Sequence, residues 1–473
     1  MSSKKLPDIE KDFAKWYQEV IAKAELADQA PVRGCFVIRP YGTMIWENIK
    51  AVLDKRIKET GHQNALFPLL IPQSFITKEA EHVEGFSPEL AVVTHAGGKK
   101  LEEPLVVRPT SETMIHFMFA KWIKSWRDLP MKINQWANVI RWEMRPRAFI
   151  RTSEFFWQEG HTAHETAQEA EQEATMMLRE YVNLVQDYLA IPVVHGMKSE
   201  SEKFPGADKT FTFEAMMPDG KAVQMGTSHI ISQNFAKAFG MTYQNREGQL
   251  AYPYLTSWGS TTRLVGALIM MHGDQKGLVL PPKIAPIQVV IVPIIKKDSD
   301  NSAVLNVADD LKNTLGEKFA VFLDDDDTKT PGAKFYKWEL RGVPVRIEIG
   351  PRDLEEKKVV VADRLGEKIA VPLDDVASHI EKTLEAMQTK LFERAKQNLE
   401  SNWKKAEKLA GFGKTLSKEG GFYQTGWCHN PECEKELKKF QAMTRCLLDE
   451  KTFEVCFNCE KPSKGDVLVA KSY

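Results

Sequence analysis

The chain has 473 residues, 27% of them charged, and its 64 Lys and Arg against 65 Asp and Glu give a net charge of −1 at pH 7. At roughly 150 residues per domain this is about three domains' worth, which excludes a mini-protein, and the neutral balance excludes a globally basic field, so any nucleic acid has to be met by local patches. A hydrophobic content of 43%, with 24 Phe, 11 Trp and 10 Tyr, excludes a disordered chain.

Met1 to Asp12 is charged and lacks the apolar core of a secretory signal, so secretion is not expected. Phe13, Trp16, Val20, Ile21 and Ala24 fall at helical spacing and predict an amphipathic helix within Asp8 to Gln29. A second helix is predicted over Met44 to Thr60, with Ile45, Ile49, Val52, Leu53 and Ile57 on one face and Gly61 as C-cap. Ala65 to Pro72 is apolar with two prolines and reads as an extended strand near a sheet edge or an interface. Mixed strands and helices follow, including a long acidic helix over Glu165 to Leu189.

The longest apolar stretch, Ile284 to Ile295, is interrupted by Pro286 and Pro293. It falls well short of the roughly 20 residues a membrane helix needs, so it reads as a buried strand and no membrane association is expected. Leu280 to Pro286 breaks any regular element. Beyond it strands and helices alternate: Gln288 to Ile295, Ser302 to Leu315, Ala320 to Asp324, Lys334 to Arg341, Pro344 to Ile349 and Lys358 to Asp363. This predicts a compact α/β domain. A Lys/Glu-rich helix over Val376 to Leu409 then leads to the glycine-spaced stretch Gly411 to Gly421. From Ala386 onward basic residues outnumber acidic ones, 16 to 12.

Five of the six cysteines crowd the tail. Cys428 and Cys433 are separated by four residues, Cys456 and Cys459 by two, with 22 residues between the pairs. Two such knuckles suit a tetrahedral zinc site, with Cys446 spare and His429 a weaker competitor; buried free cysteines are the bland alternative. A four-sulfur site has no open position, so its Zn2+ is expected to be structural. Two other motifs fail. Gly413-Lys414-Thr415 lacks the first glycine of a phosphate loop, because Lys408 stands in its place, and His161-Thr-Ala-His164-Glu165 has the residues of a metalloprotease helix in the wrong order.

The densest chemistry lies in Asn138 to His161. Two strand-like runs flank a loop with Pro146, and Arg141, Arg145, Arg147 and Arg151 concentrate charge there. The hairpin suits a polyphosphate, since arginine offers fixed forked donors to phosphate oxygens; a charged surface hairpin is the alternative. Arg141-Trp-Glu143 through Arg151-Thr-Ser-Glu-Phe-Phe-Trp-Gln-Glu-Gly-His161 resembles motif 2 of the class II aminoacyl-tRNA synthetases, in the form found in the prolyl-tRNA synthetase family. Arg108-Pro-Thr110-Ser-Glu112 resembles that family's proline-binding loop, Gln224-Met-Gly-Thr227-Ser-His229 its ATP and proline segment, and Ser257-Trp258-Gly-Ser-Thr261-Thr-Arg263 its motif 3. Gly61 to Pro72 resembles motif 1, a dimer-interface element. The run from Lys337 to Gly350 resembles the class IIa anticodon-binding domain, and the paired-cysteine tail the archaeal and eukaryotic-like branch. Motif 3 lacks the Glu-Arg pair of the general class pattern.

The resemblance implies an α+β architecture: a class II antiparallel sheet with flanking helices over 1–283, an α/β anticodon-binding domain over 284–384, and a small zinc-binding α/β tail domain over 385–473. It implies a cytoplasmic, homodimeric ligase of L-proline to tRNA(Pro), using ATP and Mg2+. By resemblance Arg141 bridges substrate carboxylate and α-phosphate, Glu143, Arg151 and Thr152 hold ATP, and Thr261 and Arg263 grip its distal end. Gln224 and Thr227 complete the nucleotide site, with Gln224 near magnesium. Thr110 and Glu112 take the proline amine and His229 lines the site. Glu159, His161, Trp157 and Trp258 are candidate pocket walls, the two tryptophans being equally readable as core aromatics. Glu339, Arg341, Arg346 and Arg352 are candidates for anticodon contacts or for surface salt bridges. The resemblance also places Tyr473 back toward the catalytic domain. With only about a hundred residues between motifs 2 and 3, no inserted editing domain is expected. A threonyl or histidyl enzyme, or a synthetase-like RNA-binding protein without catalysis, are the alternatives.

Overall fold

The computed structural model describes residues 5–82, 90–143, 145–295 and 300–473. Helix α1 spans Phe13–Lys23, and the Asp12 side chain caps it by accepting from the Lys15 amide at 3.0 Å. It is shorter than the sequence predicts because Glu25 adopts a left-handed backbone (φ 59°), after which Ala27–Gln29 pairs as a strand with Phe36–Ile38. Helix α2, Pro40–Glu59, begins on a proline, whose missing N–H is no loss in the first turn. The chain leaves it through Gly61 at φ +88°, a conformation that favours glycine.

Helices α3 (Glu112–Trp122), α4 (Ala167–Asp187) and α5 (Arg263–His272) flank an antiparallel sheet. Its strands are β1 (Met131–Ile140), β2 (Glu154–His164), β3 (Val194–Met197), β4 (Lys209–Met216), β5 (Ala222–Ser232) and β6 (Tyr254–Thr261), in the order β3-β4-β5-β6-β2-β1. The short strand Gln63–Asn64 adds in parallel beside β1. Period-two alternation divides the faces. One packs Phe213, Met225 and Trp258 against Met177, Tyr181 and Val185 of α4, and the other carries the cavity described below. Leu70–Pro72 of the proline-flanked run pairs with Lys99–Val107 in a separate three-stranded sheet.

A five-stranded sheet follows, built from β7 (Val289–Pro293), β8 (Val321–Leu323), β9 (Val345–Ile349), β10 (Lys358–Asp363) and β11 (Lys368–Pro372), in the order β8-β7-β9-β10-β11. The helices α6 (Ser302–Gly316) and α7 (Pro331–Leu340) connect its parallel strands. β7 is buried throughout, as its uninterrupted Val-Val-Ile-Val run requires. Strand β11 carries no clear sequence signal, its alternation being masked by exposure along most of its length.

Helix α8 (Val376–Ser401) stops at Asn402, well before Leu409, and the chain continues as β12 (Trp403–Lys405) and a further helix, α9 (Leu409–Glu419). With β13 (Phe422–Trp427), β14 (Met443–Leu447) and β15 (Gly465–Ala470) the tail forms a sheet ordered β12-β13-β15-β14. This sheet is continuous with the first one through a single pair, Leu447 opposite Met197 of β3, making eleven strands in all among the described residues. A buried ion pair spans the junction, Arg445 Nη2 to Glu214 Oε2 at 2.6 Å. Tyr473 lies against the first sheet: its hydroxyl donates to Asp219 Oδ2 at 2.6 Å, and its ring faces Lys221. No described helix is long and apolar enough to cross a membrane.

Candidate active site

A cavity of about 460 Å³ opens on the sheet face opposite α4. Alternation on β2 delivers Phe155, Trp157, Glu159 and His161 to it, and register places Thr261, Gly259 and Ser257 of β6 beside the last three. Thr227 and His229 of β5 continue the same face. A one-residue bulge at Met225 shifts the alternation, so Gln224 joins them and Met225 enters the core. The hairpin loop between β1 and β2, closed by backbone bonds between Arg147 and Arg151, supplies Arg141, Glu143, Arg151 and Thr152. The turn before α3 brings Thr110, α3 begins with Glu112, and α5 begins with Arg263.

Arg141 is exposed to the open cavity, which its guanidinium faces. Its Nε donates to the Pro109 carbonyl at 2.9 Å, and the group sits 5.5 and 5.4 Å from the ring centres of Phe155 and Trp157. Its surroundings lower its affinity for the proton, and Glu159 and Glu112 oppose that effect. Arg263 is fixed by the carbonyls of Ile150 (3.1 Å) and Gln224 (3.2 Å); burial lowers its pKa to about 10, with Glu214 opposing, so it stays charged at neutral pH. On the loop, Arg151 pairs with Glu143, which also accepts from the Arg145 amide at 2.8 Å. Thr152 donates to the Glu154 carbonyl at 2.6 Å.

The opposite end of the cavity is acidic. Glu159 accepts from the Ser111 amide at 3.2 Å and from Gln135 at 2.9 Å, and lies 3.2 Å from His161 Nε2. Burial works to raise its pKa, but these donors hold it below the usual carboxylate range. Glu112, only 3% exposed, is pushed up to about 7, chiefly by burial and further by Glu159, with His161 opposing. His229 is held neutral, its pKa lowered to about 3 by burial and Lys198; its nitrogens meet Thr210 at 3.0 Å and Thr227 at 2.9 Å.

Trp258 requires a correction. Its position on β6 is out of phase with Ser257 and Gly259, so its indole turns into the core, T-shaped to Tyr181 and to His62 and beneath Gly160. The pocket wall expected there is backbone, and the side chain is a core aromatic. Lys198 and residues 202–205 also line the cavity, with the Phe204 ring 4.8 Å from that of His229. No motif marks these residues, whereas Phe155 was accessible from the alternation of β2.

In the five-stranded unit, Glu339 and Arg346 share a smaller cavity of about 170 Å³ with Trp338, Arg364, Lys276 and Lys368. Arg341 and Arg352 are outside it. Arg341 pairs with Glu25 and stacks on Tyr41 and Trp338, so its guanidinium joins this unit to the region after α1, and Arg352 stands on the surface helix Pro351–Glu355.

The tail sulfurs of Cys428, Cys433, Cys456 and Cys459 all lie within 4.8 Å of one another, with Cys428 at 3.8 and 3.7 Å from Cys433 and Cys459. A tetrahedron of thiolates about 2.3 Å from zinc has sulfurs about 3.8 Å apart, so the residues fit a structural Zn2+. His429 is outside the group, its ring on Trp427, and Cys446 is buried against β3 and β4.

Three family models match the chain: the tRNA synthetase class II core domain (G, H, P, S and T) over residues 94–272, an anticodon binding domain over 288–383, and the C-terminal domain of prolyl-tRNA synthetase over 409–473. Proline-tRNA ligase 2 of Clostridioides difficile is 51% identical over 98% of this chain and 97% of its own. A proline-tRNA ligase of Chloroherpeton thalassium is 51% identical over 100% of both. The crystal structure of prolyl-tRNA synthetase from Cryptosporidium parvum with halofuginone and AMPPNP superposes with a TM-score of 0.94 at 42% identity, covering 99% of each chain. The same enzyme with L-proline and AMP gives 0.92 at 41%. Core, anticodon module and cavity together define a class II aminoacyl-tRNA synthetase. Within that class the chain belongs to the proline-tRNA ligase family.

Proposed function

We propose that this enzyme joins L-proline to tRNA(Pro) in two steps. A proline carboxylate oxygen attacks the α-phosphorus of ATP, a bond to pyrophosphate breaks, and prolyl-adenylate forms; a terminal hydroxyl of the tRNA then attacks the acyl carbon and AMP leaves. The carboxylate is already ionised at neutral pH, so catalysis consists of positioning and charge stabilisation, with no general base. The observation that carries this reading is Arg141, stacked over two aromatic rings between the acidic end of the cavity and the arginines of its other end.

In this reading Thr110 and Glu112 take the proline amine, and His161, Trp157 and His229 bound the ring. Glu159 acts by holding the Thr110–Ser111 turn, since its oxygens already receive protein donors. Arg141 contacts both reacting groups. Glu143, Arg151, Thr152 and Thr227 hold the nucleotide, and Thr261 with Arg263 its distal phosphates. Magnesium, when bound, neutralises phosphate charge near Gln224, a role that needs few protein ligands. Glu339 and Arg346, with Lys368 beside them, are the residues of this unit we assign to anticodon bases; Arg364 is buried and held by Asp274.

The tail thiols hold structural Zn2+, which requires the reducing setting of a cytoplasm. The exposed run of Leu66, Leu69 and Leu70, next to the sheet edge at Gln63–Asn64, supports a homodimer; native mass spectrometry reads both metal and dimer. Pyrophosphate exchange into ATP, run with each amino acid in turn, tests the function. Exchange with proline supports it. Exchange with threonine or histidine alone, or none, overturns it.

A further inference from the structure

Behind the amine end of the cavity, α3 faces β2 across three side chains whose hydrogen bonding is incomplete. Glu112 and His116 are one helical turn apart and project from the same face of α3; His161 projects from β2 toward them. A carboxylate oxygen and one ring nitrogen from each histidine lie within 4.8 Å of one another, and the residues are 3%, 0% and 2% exposed. Glu112 Oε1, both nitrogens of His116 and Nδ1 of His161 have no hydrogen-bond partner. The far side of His116 offers none either, being packed by the rings of Phe119, Phe235 and Phe239.

An unmatched buried polar group is costly, so such groups on all three of these residues, with one ligand atom from each brought together, indicate an occupant. The donor set identifies it. One carboxylate with two imidazoles is the set of open zinc sites, in which three protein ligands leave a position free. The surroundings agree: His161 meets Glu159 through Nε2 at 3.2 Å, which leaves Nδ1 for a ligand. This is the carboxylate–histidine–metal relay that orients ligating histidines. A second buried carboxylate beside Glu112 also favours a cation over a neutral water.

We propose that Glu112, His116 and His161 form a site for a divalent transition cation, distinct from the tail cysteines, and that a cation there and proline exclude each other. The exclusion rests on the reading of Glu112 as the acceptor of the proline amine; the cation site does not.

Zn2+ is the probe, titrated into the full-length protein and followed by calorimetry, with and without saturating proline, and compared with His116→Phe, whose ring suits the phenylalanine shell. The tail thiols contribute equally to both proteins. The expected result is one more Zn2+ per chain in the unmodified protein than in His116→Phe, removed by proline and unaffected by Mg2+, which prefers oxygen ligands. In exchange assays Zn2+ then raises the KM for proline and leaves that for ATP unchanged. Equal Zn2+ uptake by the two proteins overturns the site. Should His116→Phe fail to fold, the unmodified protein decides alone: no proline-displaceable Zn2+ overturns the proposal. Zn2+ held at the site but not displaced by proline overturns the exclusion, and proline-dependent exchange without Zn2+ tells whether the reading of Glu112 as amine acceptor falls with it.

Discussion

Arg141 combines a backbone anchor with two aromatic faces, and both depend on the planarity of guanidinium. A lysine keeps the charge and loses the fork. Arg141→Lys is therefore expected to lower kcat/KM for proline-dependent exchange by about 10²- to 10³-fold, the range seen when one preorganised donor is removed, with the thermal unfolding midpoint unchanged. His272 shows the opposite use of burial. It is fully buried, lies 2.7 Å from the Leu189 carbonyl, and has Arg394 beside it; burial lowers its pKa to about 3. The folded protein thus keeps it neutral, while the unfolded chain takes up a proton below about pH 6.5. Its contribution to stability is present above that pH and is lost as pH falls, by about 2 kcal/mol at pH 5. Urea midpoints at pH 7.5 and pH 5 are expected to differ less in His272→Gln than in the unmodified protein. At this scale the sequence was readable where a residue's chemistry is hard to house in a core: Arg141 and Glu112 stand out for that reason. Trp258 was not, because an indole serves a core and a ligand pocket equally well and only its phase against Ser257 decides.

Strand phase is also what the elements contribute. The bulge at Met225 turns one run of β5 into two registers, and the close seating of β2 on β6 depends on the absence of a side chain at Gly160, where a Cβ would lie 2.1 Å from the Trp258 ring. Gly160→Ala is expected to destabilise by at least about 2 kcal/mol, read as a lowered urea midpoint, and to raise the KM for proline because Glu159 and His161 flank it. Helices with one apolar stripe, such as α2 and α4, were legible to within a few residues. The ends that were missed are set by features outside the apolar pattern: the positive φ of Glu25 after α1, and the turn at Asn402, whose side chain bonds back to the Asn398 carbonyl at 2.9 Å. The bulge itself has no signature in a single sequence.

Across the whole molecule, the three-part organisation could be read from composition shifts, but the joining of the first and last parts could not, since strand pairing at a distance leaves no local trace. Besides the Leu447 and Met197 pair, Glu434, next to Cys433, accepts from Ser199 at 2.7 Å, and the neighbouring Lys198 and residues 202–205 line the active-site cavity. If the tail thiols hold zinc as proposed, treatment with a chelator is therefore expected to lower the unfolding midpoint and to raise the KM for proline severalfold, measured by exchange before and after zinc is added back. The junction has a further consequence. Without β14, strand β3 would be the last strand of the catalytic sheet, with unpaired amides and carbonyls open to any passing chain. The tail is thus a guard against edge-to-edge aggregation, and a protein lacking residues 403–473 should form sedimenting assemblies at concentrations where the full chain stays dispersed.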